Sequence, residues 1–235
     1  MTTHHAPDTT TPTEVDDRWE HQDPTVQAMV DEIATAAGCP ATRVVVVPWI
    51  GYREPGDAIG DGGLAEVHQP FRRTEPATPA TIYLAAPVLS DLSPEIGRHL
   101  LAHELGHVTR HGRLHTAVDH LAALAVWPVT AAAAVLSWSI GARGAEFLLT
   151  LAAAAWGLMK LANWAWELVQ EIQADDFTTQ YAPLTADQVD QLWSYLDTHL
   201  GTDLGGRYRG YRLMRNARRT AQPAVLEAAG TVEEA

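Results

Sequence analysis

His103-Glu104-Leu105-Gly106-His107 is the stretch on which the reading of this chain turns. On a helix advancing 100° per residue, positions 103 and 107 lie about 40° apart and position 104 falls about 60° from position 107. One face therefore offers two imidazoles and a carboxylate together. Neutral imidazoles one turn apart can both reach a single Zn²⁺ at about 2.0–2.1 Å and leave room for a third ligand and a water. A glutamate beside the ion but not bound to it can take the proton of that water as it attacks a carbonyl, which makes Glu104 the candidate catalytic base. The H-E-x-x-H spacing is a known signature of this chemistry.

The flanking residues place the motif in mid-helix. Ser93 suits an N-cap, Pro94 the first helical position and Glu95 the first turn, and Gly112 closes the segment after Arg110 and His111. Ile96, Leu100, Leu101, Leu105 and Val108 supply a side to bury. A third ligand has to come from elsewhere. In Glu167-Leu168-Val169-Gln170-Glu171-Ile172-Gln173-Ala174-Asp175-Asp176, Glu171 and Asp175 share a helix face at i, i+4. Glu171 can complete a two-histidine, one-carboxylate site, and Asp175 can hold the far nitrogen of a ligand histidine. Read alone, the same stretch is also an ordinary acidic, solvated helix face.

Three stretches together resemble the HtpX-type membrane zinc metallopeptidases, relatives of the CAAX prenyl proteases. They are Ile82-Tyr83-Leu84 as a strand leading into the motif helix, HELGHVTRHG from His103 to Gly112, and EIQAD from Glu171 to Asp175. The resemblance covers roughly residues 80–180. It implies that His103, His107 and Glu171 hold one zinc ion and that Glu104 is the base. The family's usual arginine after the last aspartate is Asp176 here.

Working outward, residues 1–23 are rich in Thr, Asp, Pro and His and read as a disordered leader without a signal peptide. Val26, Met29, Val30, Ile33 and Ala37 recur at helical spacing up to Gly38, and Arg43 to Val47 reads as a strand buried on both faces. Between residues 50 and 80, Asp61-Gly62 predicts a turn joining short strands near Ala58-Ile59 and Leu64 to Val67. By resemblance, residues 57–67 are the candidate edge that holds an extended substrate. Thr185 caps a further helix with Val189, Leu192, Trp193 and Leu196 as its apolar stripe. Arg207 to Arg219 is a basic segment read mainly as a solvated face, with one Arg or Tyr a candidate for the oxyanion of peptide hydrolysis. His199 is a second candidate donor by analogy, His99 and His111 are read as outer or exposed groups, and residues 221–235 as a disordered acidic tail.

Residues 121–140 carry no charge and 147–166 carry only Lys160. At 1.5 Å per residue, 20 residues match a hydrocarbon layer of about 30 Å. The segment 118–166 is therefore expected to form an apolar helical hairpin, transmembrane in the first reading and packed in a soluble core in the second. In the membrane reading, Arg98, Arg110 and Arg113 at its base put the catalytic domain on the cytoplasmic side.

The expected fold is α+β and predominantly helical, zincin-like, with a small β-sheet and the hairpin inserted between the two ligand helices of a domain spanning 24–220. A net charge of −13 argues against a nucleic-acid partner, and the single cysteine, Cys39, excludes a cysteine-based metal cluster. The expected function is membrane-associated, zinc-dependent endopeptidase action on protein or peptide substrates, with a bilayer as partner. Two competing readings are a soluble cytoplasmic peptidase resembling the repressor-cleaving ImmA/IrrE group, and an inactive zinc-containing scaffold.

Overall fold

The computed structural model describes residues 21–54, 57, 59–68, 79–110, 146–147 and 150–230. Helix α1, Pro24–Ala37, starts where the Asp23 carboxylate accepts from the amides of Thr25 and Val26. It stops at Gly38, whose φ of 66° is a left-handed conformation that glycine adopts without penalty. The leader's last residues thus belong to the fold: His21 bridges Val46 through two main-chain hydrogen bonds of 3.0 and 2.7 Å.

Strands β1 (Thr42–Val47), β2 (Ala65–His68) and β3 (Ala80–Ala85) form one sheet in the order β1-β3-β2. β1 runs parallel to β3 with Val44 opposite Ile82, whereas β2 is antiparallel to β3 with Val67 opposite Ile82. The four valines of β1 are buried on both faces as expected. Val44 and Val46 enter the main core, while Val45 and Val47 pack with Ile50 and Ala85 on the other side.

The hairpin expected around Asp61-Gly62 is corrected. Ile59 is a buried bend residue, and β2 pairs with β3 instead of with its upstream neighbour. The turn folds back on residues 50–52, with the Asp61 amide on the Tyr52 carbonyl at 2.9 Å and the Gly62 amide on the Ile50 carbonyl at 3.1 Å. Glycine is required there, since a Cβ on Gly60 or Gly62 would run into the main chain or side chain of Ile50.

A short helix α2 (Pro87–Asp91) precedes α3 (Pro94–Arg110), the motif helix. α3 lies against α1, α2, β2 and β3. Its Ile96, Leu101, Ala102 and Leu105 join Val30 and Ile33 of α1 and Ile82 and Leu84 of β3 in one core, leaving the opposite stripe for the site. A long helix, α4, spans 150–181. After it come α5 (Ala186–His199), opened by a reciprocal Thr185–Gln188 capping box, and α6 (Leu204–Gly230). The first ten residues of the expected tail, 221–230, are helical. Ala224, Ala228 and Ala229 suit that conformation.

Of the expected apolar hairpin, residues 118–145 lie outside the described residues. Residues 150–166 are helical, but no helix among the described residues is long and apolar enough to cross a membrane. Lys160, Asn163 and Glu167 dilute an alanine-rich stretch too far. Residues 148 and 149 of the expected second arm also lie outside the described residues.

Candidate metal centre

Two helices build the site. α3 brings His103, Glu104 and His107 on one face, and α4 crosses it at Gly106. A Cβ on Gly106 would stand 3.0 Å from the Ala174 Cα and 3.2 Å from the Phe177 Cβ, so the missing side chain lets the two helices touch. This contact delivers Glu171, one turn before Ala174, to the two histidines.

Donor atoms of His103, His107 and Glu171 converge within 4.8 Å of one another. The Nε2 atoms of the two histidines are 3.2 Å apart. His103 Nε2 lies 3.2 Å from Glu171 Oε2, and His107 Nε2 lies 3.4 Å from Glu171 Oε1. Two ligands of a tetrahedral zinc at about 2.0–2.1 Å stand about 3.3–3.4 Å apart, so this triangle has the size of one face of such a site. The residues fit the ion, and all three also line the cleft.

Behind the triangle, Asp175 Oδ1 lies 3.2 Å from His103 Nδ1. With that nitrogen engaged, the lone pair of Nε2 is directed at the ion's position. Asp175 is 2% exposed and anchored in turn by Arg209 of α6, whose Nε donates to Oδ2 at 2.9 Å and Nη2 to Oδ1 at 2.8 Å. The third guanidinium nitrogen, Nη1, lies 2.7 Å from Glu171 Oε2. One arginine thus grips both acidic residues of α4. Burial pushes the Asp175 carboxyl up, but His103 and Arg209 outweigh it and hold it down at about 2. The same opposition, with His103, His107 and Arg209 prevailing over burial, keeps Glu171 well below the carboxylate range. Burial disfavours the imidazolium of His103, yet Asp175, Glu171 and Glu104 together push it up to about 9, a proton that a bound metal must displace.

Glu104 differs from both. It is 8% exposed, and burial raises its carboxyl pKa, with Glu171 and Glu66 adding repulsion while His103 and His107 pull the other way. A raised pKa suits a group that must take up a proton. Glu66, on β2, reaches this neighbourhood from the expected substrate-holding segment. The cleft has a volume of about 490 Å³, lined by residues 62–67, the site face of α3, Gln170, Glu171 and Asp175 of α4, and parts of α5 and α6.

The structure brings all five predicted site residues together. Three others read differently from their sequence. Arg209 was one member of a segment read mainly as solvated. The usable signal is Gly206 and Gly210 one turn apart, which lets the Trp193 ring of α5 lie against α6: a Cβ on Gly210 would meet that ring at 2.8 Å. The indole also faces the Arg209 guanidinium at 5.9 Å. His99 is buried, its Nδ1 on the Ala182 carbonyl at 2.8 Å, tying α3 to the end of α4. His199 is corrected: it is exposed, its ring centroid 4.4 Å from that of Tyr195 and tilted by 51°, and it is not among the cleft-lining residues. Asp176, in the place of the family's usual arginine, pairs with Arg212 at 2.9 Å. His111 lies outside the described residues.

The model of peptidase family M48 matches residues 77–224, more than half of the chain, and that interval holds every residue of the triangle. The chain belongs to peptidase family M48. No curated protein and no solved structure matches it. Membership makes it a metallopeptidase hydrolase acting on protein or peptide substrates, in a family that is zinc-dependent. The family assignment displaces the ImmA/IrrE alternative.

Proposed function

We propose that this M48 peptidase is a zinc endopeptidase of the HtpX type, hydrolysing peptide bonds with water as the nucleophile. The observation that carries the reading is the donor triangle of 3.2, 3.2 and 3.4 Å with the Glu104 carboxylate buried beside it. His103, His107 and Glu171 would hold the ion, and zinc bound there supplies Lewis-acid polarisation of the scissile carbonyl and acidifies the attacking water.

The chain's own groups do the rest. Glu104 accepts the water's proton and returns it to the leaving amine. Asp175 fixes the His103 ring, and Arg209 fixes Asp175 and Glu171 against each other. Substrate lies along β2, the edge of the sheet. The Leu64 carbonyl accepts from the Ala85 amide at 2.9 Å, and hydrogen-bonded pairs alternate along an antiparallel ladder. The main-chain groups of Ala65 and Val67 therefore point outward, away from β3, where an extended peptide can pair with them.

Zinc content of the purified protein tests the ligand set. Wild type is expected to bind one equivalent, and His103→Ala and Glu171→Ala to lose it. Glu104→Gln should keep zinc and lose cleavage of unfolded casein. Unchanged zinc in both ligand variants refutes the site, and a zinc-loaded wild type that cuts nothing makes the chain a scaffold.

A further inference from the structure

Four residues before His103 and Glu104, about 6 Å along α3, the same face carries His99 and Leu100. Here the cleft changes character. Its wall is Leu100, Leu192, Leu196 and Leu213, drawn from α3, α5 and α6, with the Trp193 ring beside them. Leu100, Trp193 and Leu196 are only partly buried, though they pack on the core. His99 has its Nδ1 committed to the Ala182 carbonyl.

Charge in the cleft is equally one-sided. Among the described lining residues Arg209 is the one guanidinium or ammonium, and it is spent on Glu171 and Asp175. Glu66 and Glu104 stand on the other side. A carboxylate entering among the leucines would lose its water, and the one guanidinium near it, Arg209, is already held by Glu171 and Asp175. A lysine or arginine would likewise lose its water against the four leucines.

We infer that Leu100, Leu192, Leu196 and Leu213 form a subsite that selects a large aliphatic or aromatic substrate side chain next to the scissile bond. The inference rests on the zinc-peptidase reading above. The cleft volume, about 490 Å³, lies within the range of about 300–1,000 Å³ common for small-ligand sites, and it is shared by the donor triangle, the β2 residues and this leucine wall.

Binding of amino-acid hydroxamates to the full-length, zinc-loaded protein tests this without turnover, because their metal-binding group is constant and only the side chain varies. Leucine hydroxamate should bind about tenfold or more tighter than glycine or aspartate hydroxamate, the factor expected for burying a leucine side chain. Leu196→Asp on α5 and, independently, Leu100→Ala on α3 should each cut that preference at least about fivefold. Equal affinity for all three probes, or a leucine preference intact in both variants, overturns the subsite. Loss of every hydroxamate with zinc still bound also overturns it. Absence of zinc from wild type instead brings down the peptidase reading itself.

Discussion

Gly106 shows how one hydrogen atom sets a distance between two elements. A methyl group there stands 3.0 Å from the Ala174 Cα, main-chain material that cannot rotate aside. Gly106→Ala is therefore expected to force α3 and α4 apart, cost about 1–3 kcal/mol in chemical denaturation and weaken zinc binding by moving Glu171 off the histidines. Arg209 supports a separate expectation. Lysine keeps the charge but not the planar fork, so Arg209→Lys should lose zinc affinity by about 10–100-fold in a competition titration while Asp176→Ala, on the exposed side of α4, leaves it unchanged.

His99 gives a pH signature. Burial holds its imidazole down at about 4, helped by the charges of His103 and Arg209 and opposed by the Ala182 hydrogen bond and Asp175. In the unfolded chain a histidine titrates near about 6.5. Between those values the unfolded chain binds a proton that the folded chain refuses, so this contribution is complete above pH 6.5 and is lost as pH falls toward 4. It amounts to roughly 3 kcal/mol at most. Replacing His99 by Gln should remove that part of the slope in stability measured between pH 7 and pH 4. An unchanged slope would show that the ring is not the group being titrated.

At the scale of elements, β2 is where sequence and structure diverge most usefully. Its existence was legible from Leu64 to Val67. Its partner was not, because pairing with β3 is a contact between segments separated by the whole 69–79 connection, and no local turn specifies it. The start of α3 at Pro94 was legible to the residue, since caps and periodicity are local. The alternation along β2 also makes a prediction. Val67→Pro removes an outward amide that β3 does not use, so the sheet and the zinc should survive while KM for an unfolded substrate rises about tenfold. A collapse of zinc content in that variant would mean that the amide serves the ladder after all.

For the whole molecule, the ligand triangle joins helices that are far apart in sequence, so metal and fold should be linked. Zinc at about 1,000 times its dissociation constant adds roughly 4 kcal/mol, which for a chain of this size raises Tm by about 10 °C. Chelation should reverse that shift in wild type and have no effect on His103→Ala. The same scale explains what the sequence withheld. His103, His107 and Glu171 announce themselves through motifs, but Arg209 acquires its role only when α6 packs Gly206 and Gly210 against Trp193. Residues 147–166 show the converse: their length and low charge suggested a bilayer span, whereas no helix among the described residues is long and apolar enough to cross a membrane.

β2 is only four residues long, a ledge of roughly 13 Å. A polypeptide that settles on it must first give up its own hydrogen-bonding partners over that length. With substrate paired to β2 as proposed, intact domains, whose main chains are already paired internally, would be spared without any inhibitor, whereas frayed ends and unravelled loops would present themselves ready to be cut. Selection by conformational state would then come before selection by side chain.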